Sequence, residues 1–211
     1  MNLGKDIAER LLNREAVIVR TDPPFTWASG IKSPVYCDNR KMLGFVGDRE
    51  AIVEGFKQLI ADNGLDFNVI GGTATAAIPW AAFLAAELHK PMIYIRPEKK
   101  EHGAGKQIEG FLPGGQKVLI VEDLISTGGS SVAAATAVRE VGCTVTDILA
   151  IVTWELPKSA ATFKEAGLNL YTMTDYSNLI GLAAEKGTIP SDKLQVVLQF
   201  KEDPEGWGAK M

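Results

Sequence analysis

Residues 118–131, VLIVEDLISTGGSS, constrain the fold more than any other part of the chain. Val118, Leu119, Ile120 and Val121 make a short apolar run, rich in β-branched residues, the pattern of a strand buried on both faces of a parallel sheet. Two acids follow, Glu122 and Asp123, then a turn rich in hydroxyls and glycine, and helix-forming composition resumes from Ser131 to Arg139. A strand feeding a helix in this way is a βα unit, and such units demand a parallel sheet covered by helices. The rest of the chain keeps that rhythm. Apolar runs at residues 67–70, 92–95, 144–152 and 168–172 alternate with helical patterns at 76–88, 131–141 and 158–166, and 46–61 has the spacing of a covering helix. The expectation is an α/β fold, a mostly parallel twisted sheet flanked by helices. With 211 residues and 46% hydrophobic content, one domain spanning residues 1–211 can bury a sizeable core.

The turn after the acids has the chemistry of an anion site. Ser126, Thr127, Gly128, Gly129 and Ser130 can offer backbone N–H groups and hydroxyls to one phosphate, at the start of a helix whose dipole favours negative charge. A sugar whose 5′-phosphate rests there would bring its 2′- and 3′-hydroxyls to Glu122 and Asp123, which accept hydrogen bonds from diols. The same carboxylates would oppose positive charge on the ribose ring if the bond at C1′ broke early. A strand-end loop with two solvated acids is the plain alternative. The complete order of apolar residue, two acids, two apolar residues and Ser-Thr-Gly-Gly-Ser favours the ligand site.

Two segments break the βα rhythm. Residues 17–37 hold Pro23, Pro24, Gly30 and Pro34 among short apolar pieces and read as irregular strands and turns. Residues 97–115 read as a long surface loop, and such loops are often functional lids. Arg96, Lys99, Lys100, His102 and Lys106 cluster there beside Gly103 and Gly105. Cations of this kind would neutralise negative charge developing on a bound group, and His102 could donate a proton. A solvated charge run is the alternative reading. Gly71 and Gly72, after the run 67–70, read as a βα turn open to an anion. Pro79 is expected to break the Ala-rich stretch 73–88.

Composition narrows the partners. A formal charge of −4 carries no basic footprint for nucleic acid. Cys37 and Cys143 are too few for a disulfide framework or zinc site and suit a reducing compartment. The N-terminal MNLGKDIAERLLNREA reads as an amphipathic helix rather than a secretory signal, and no run reaches the roughly 18 apolar residues of a membrane span. The expectation is a soluble, cytoplasmic protein without membrane or nucleic-acid partners.

VLIVEDLISTGGSS resembles the phosphoribosyl pyrophosphate (PRPP) motif of the type I phosphoribosyltransferases, and residues 25–38, FTWASGIKSPVYCD, and 96–105, RPEKKEHGAG, resemble the orotate branch of that family. The resemblance implies transfer of a phosphoribosyl group from PRPP to orotate, with Mg²⁺ held mainly by substrate phosphates rather than by a dedicated protein site. It implies PRPP contacts from Arg96, Lys100, His102, Glu122, Asp123, Leu124, Ile125, Ser126, Thr127, Gly128, Gly129 and Ser130. Lys100, His102, Glu122 and Asp123 would be catalytic, and Ser126, Lys32 and Tyr36 would contact orotate, with Arg40 a further candidate for its carboxylate. Residues 1–40 would contribute a hood over the base, and the loop after Arg96 would reach into a partner's site in a homodimer. The chain departs from relatives at Pro97, where many carry lysine, at Ala28, where many carry a substrate-contacting lysine, and at Trp154, where some carry an arginine for the orotate carboxylate. A purine or xanthine transferase and a non-catalytic PRPP-sensing regulator are the competing readings.

Overall fold

The computed structural model describes residues 2–27, 30–98 and 107–210. Helix α1 (Leu3–Asn13) is capped by Asn2, whose side chain accepts from the Lys5 amide, and buries Ile7, Ala8 and Leu11 on one face. Four short strands follow, β1 (Val17–Val19), β2 (Phe25–Thr26), β3 (Lys32–Ser33) and β4 (Val35–Cys37). They form two small antiparallel pairs, β1 with β4 and β2 with β3. A 3-10 segment (Asn39–Gly44) leads into α2 (Val46–Asp62).

The main unit then runs β5 (Val69–Thr73), α3 (Ile78–Leu88), β6 (Met92–Ile95), β7 (Ile108–Glu109), β8 (Val118–Ile125), α4 (Gly129–Glu140), β9 (Asp147–Thr153), α5 (Pro157–Glu165), β10 (Asn169–Asp175), α6 (Tyr176–Glu185) and α7 (Leu194–Leu198). Among the described residues the central sheet has six strands in the order β10-β9-β8-β5-β6-β7, all parallel except β7 against β6. From β5 the chain goes to β6 on one side, then returns past β5 to β8 on the other. That reversal opens a crevice at the carboxyl ends of β5 and β8, where open α/β sheets bind ligands.

Two apolar layers cover the sheet. One face packs Ile70, Leu119, Val121, Leu149 and Ile151 beneath α1, α2, α3 and α6. On the other, Ile120, Ile148 and Ala150 meet Ala134, Ala135, Val138 and Phe163 of α4 and α5. Fully burying a side chain of this size contributes roughly 1.5–3 kcal/mol, so the two layers together hold the sheet rigid beneath the crevice.

The structure corrects several expectations from sequence. Strand β8 does not stop at Val121 but continues to Ile125, because β9 supplies partners along its whole end, pairing Glu122 with Ala150 and Ile125 with Thr153. Gly71 and Gly72 lie inside β5 rather than in a turn, and the turn falls at residues 74–77. A Cβ on Gly72 would stand 2.8 Å from the Ala81 Cβ, so glycine there lets α3 lie close on the sheet. Pro79 starts α3 rather than breaking a helix, since a proline in the first turn forfeits no helical hydrogen bond. The segment after Arg96 is not a plain loop at its distal end, where β7 pairs with β6. The helices and 3-10 segments after residue 175 had no counterpart in the sequence reading.

Candidate active site

Pairing along β8 changes at its carboxyl end. Gly72 opposite Val121 is the last pair with β5, so from Glu122 onward the strand keeps β9 on one side and the crevice on the other. Side chains alternate across a strand, and the two acids leave it on opposite faces. Glu122 turns toward α4, accepting hydrogen bonds from the Ser130 and Ser131 hydroxyls, each at 3.2 Å. Asp123 turns toward the hood strands, near Asn39, Cys37 and Arg40. Asn39, fully buried, donates its amide to the Asp123 carbonyl at 2.8 Å and receives the Cys37 thiol at 3.3 Å.

The electrostatics are unusual for exposed acids and rule out two solvated carboxylates. Glu122 is 5% exposed, and burial pushes its carboxyl up to about 7. The Thr73 hydroxyl opposes that shift, the Asp123 charge adds to it, and the Ser131 and Ser130 hydroxyls again oppose it. Burial likewise raises Asp123, against its own and the Leu124 backbone amides, Asn39 and Arg40. A positive charge or a hydroxyl donor brought to this end of β8 would favour the ionised form of each acid.

The turn of Ser126, Thr127 and Gly128 joins β8 to α4, with Gly129 and Ser130 in the first helical turn. Gly128 has φ +81°, and a Cβ there would stand 2.8 Å from the Phe163 ring, so both backbone and space require glycine. Among the described residues no side chain caps α4, which leaves its first amides for an anion. Ile125, 1% exposed, packs into the α4 layer and can offer a ligand no side chain.

A cavity of about 230 Å³ opens beside Asp123, lined by Thr26, Trp27, Tyr36, Cys37, Leu124 and Trp154. It joins the hood to the end of β8 and to the residue after β9. Tyr36 presents an exposed ring, 5.7 Å from that of Phe25, over which the Arg20 guanidinium lies at 4.1 Å. Trp27 is instead anchored inward, its indole N–H on the Val35 carbonyl at 3.2 Å. Lys32 donates to the Thr26 hydroxyl at 2.7 Å, at the rim of this cavity, while Arg40 is paired with Asp38 at 2.6 Å.

Arg96 lies at the end of β6, its guanidinium 3.7 Å from Glu109 and its carbonyl accepting from the Gln107 amide at 2.9 Å. Lys99, Lys100, His102, Lys106, Ala28 and Ser29 lie outside the described residues. Sequence reasoning named Leu124 among the PRPP contacts and placed Cys37 in the segment facing the base, but missed Thr73, Ser131 and Asn39 as neighbours of the acid pair. Asn39 directly follows the hood segment, but no pattern along the chain marks a polar residue as buried against a strand 84 positions away.

Comparison with known proteins agrees with this geometry. Residues 48–165 match the phosphoribosyl transferase domain. Orotate phosphoribosyltransferase of Streptococcus pneumoniae serotype 19F (strain G54) is 47% identical over 207 residues, covering 98% of this chain and 99% of the relative. Among solved structures, orotate phosphoribosyltransferase from Aeropyrum pernix superposes with a TM-score of 0.76 at 30% identity, over 87% of this chain and 99% of that one. The Mycobacterium tuberculosis H37Rv orotate phosphoribosyltransferase in complex with PRPP gives 0.62 at 29% identity, over 83% of this chain and 97% of that one. With the acid pair at the sheet's reversal point and an uncapped helix beside it, these likenesses establish that the chain belongs to the phosphoribosyltransferase family, in its orotate branch.

Proposed function

We propose that the protein transfers the phosphoribosyl group of PRPP to orotate, giving orotidine 5′-monophosphate and diphosphate in pyrimidine nucleotide synthesis. One observation carries the reading: a turn leading into an uncapped helix, one buried and one half-buried acid, and a cavity lined by aromatic rings lie side by side along the end of β8. The 5′-phosphate rests on Ser126 to Ser130, the ribose lies across Glu122 and Asp123, and the pyrimidine enters the cavity beside Tyr36. Ser126 and Lys32 reach the base from either side. Diphosphate leaves before the base has bonded fully, and the charge that builds on the ribose is opposed by the two carboxylates, which already favour a cation. Arg96, Lys100 and His102 act on the departing diphosphate.

Mg²⁺ is part of this proposal. Two carboxylates on opposite faces of one strand end suit a cation carried chiefly by substrate oxygens, not a protein cage, and among the described residues no group of three or more His, Cys, Asp or Glu gathers. When bound, the ion neutralises charge on the leaving diphosphate. We read residues 1–211 as one domain, with the pieces between residues 17 and 37 as its hood; α1 packs on β10 and α6. A homodimer with the loop after Arg96 shared between subunits completes the proposal, in a cytoplasm reducing enough to keep Cys37 and Cys143 free. No helix among the described residues is long and apolar enough to cross a membrane.

Mixing the protein with Mg²⁺, PRPP and orotate and following the base's ultraviolet absorbance tests the assignment. Orotate should be consumed with equal release of diphosphate. Inert orotate alongside turnover of adenine or hypoxanthine would reject it. Lys100→Ala should lower turnover far more than it weakens orotate binding, and equal loss of both would make the loop a binding element only.

A further inference from the structure

The region after residue 175 lies outside the segment matched by the shared family domain, yet it touches the base cavity's surroundings at three points. The first is aromatic. Phe200, fully buried, stands 5.6 Å edge-on from Trp27 of the hood and 5.7 Å from Tyr176. Tyr176 in turn meets Trp154 edge-on at 6.2 Å, and Trp207 closes on Phe200 at 5.6 Å. Trp27 and Trp154 both line the cavity, so one ring supports the wall that belongs to the hood and, through Tyr176, the wall that belongs to the sheet. The second point is polar. Lys201 reaches Glu155, the residue after Trp154, at 3.2 Å and the Ser177 hydroxyl at 2.8 Å, while Glu155 accepts from the Ser177 hydroxyl at 2.6 Å. The third is steric. The 3-10 segment Trp207–Lys210 packs so closely on β3 that a Cβ on Gly208 would stand 2.7 Å from the Lys32 Cβ.

We infer that residues 194–210 form the rear support of the base cavity, with Phe200 a positioning residue that sets the spacing between Trp27 and Trp154 for a flat pyrimidine. The inference rests on the proposed orotate activity. Phosphate turn and acid pair belong to the domain shared across the family, whereas hood and C-terminal segment are both outside it, so base recognition is built where those two meet.

Steady-state kinetics with orotate and calorimetry with PRPP and Mg²⁺ alone test this. Phe200→Ala should raise the KM for orotate about tenfold or more and leave the PRPP Kd within about twofold, with Phe200→Leu between Phe200→Ala and wild type. Lys201→Met, which breaks the contact with Glu155 without touching a residue that lines the cavity, should raise the orotate KM in the same direction and decides the matter if Phe200→Ala does not fold. Unchanged orotate KM in the folded variants, or PRPP Kd rising in step with it, would overturn the inference. If wild type turns over another base instead of orotate, the assignment of substrate fails, and the same ratio read for that base judges the support.

Discussion

Glu122 meets two opposing demands. The proposed chemistry needs its carboxylate near the ribose, and the fold has buried it under α4, where an ionised acid is costly. Its folded-state value of about 7 lies above the ordinary 4.5, so between those limits the folded protein holds a proton that the unfolded chain has released. Stability therefore falls as pH rises through that window and stays reduced above it. The cost is on the order of 3 kcal/mol once the group is fully ionised. Urea unfolding of the ligand-free protein should give a lower free energy at pH 8 than at pH 5. Glu122→Gln should flatten that decline, gain about 2 kcal/mol at pH 8, and lose about 10²-fold in turnover. An identical pH slope in the variant would show that the burden lies elsewhere. The acid pair and the turn after it were legible as a candidate anion site from residue order, and Tyr36 as a candidate only through the family resemblance. The Ser131 and Thr73 hydroxyls around Glu122, and Asn39 behind Asp123, were not, because their partners come from other elements.

At the scale of elements, glycines fix how closely a helix meets a strand. Gly128 combines φ +81° with a Phe163 ring that leaves no room for a Cβ. Gly128→Ala should cost about 1–3 kcal/mol in chemical denaturation, from strain and from displacement of that ring. It should also raise the KM for PRPP, since the amides of the turn and of α4's start would shift together. Unaltered PRPP affinity would mean the turn does not hold the phosphate. Gly72 works differently, as a packing position under Ala81, and Gly72→Val should destabilise by about 1–3 kcal/mol in the same assay. Its identity as a glycine was plain, but its place was misjudged. Apolar periodicity reports burial and fails where a small residue continues a strand, as at Gly71 and Gly72, or where polar residues do, as at Glu122 and Asp123.

At the scale of the whole molecule, the proposed sharing of the loop after Arg96 predicts complementation between subunits. Lys100→Ala and Asp123→Asn, each nearly inactive alone, should recover up to about a quarter of wild-type activity when mixed and allowed to exchange, since hybrid dimers contain one intact site. No recovery after verified exchange would confine each site to one chain. The base cavity likewise has no single-segment origin. Hood, end of β8, residue after β9 and C-terminal segment converge on it.

Residue order by itself determined the alternating α/β architecture and the strand-turn-helix order of residues 118–131 on which the proposed phosphate and ribose site is built, because one strand, its turn and its helix make that unit and their contacts are local. Tertiary structure decided which face each acid takes, how deeply Glu122 is buried, and that Trp27, Leu124 and Trp154 share a cavity supported by Phe200. Those properties depend on sheet order and on side chains that meet only after the chain has doubled back, so nothing in their spacing along the sequence announces them.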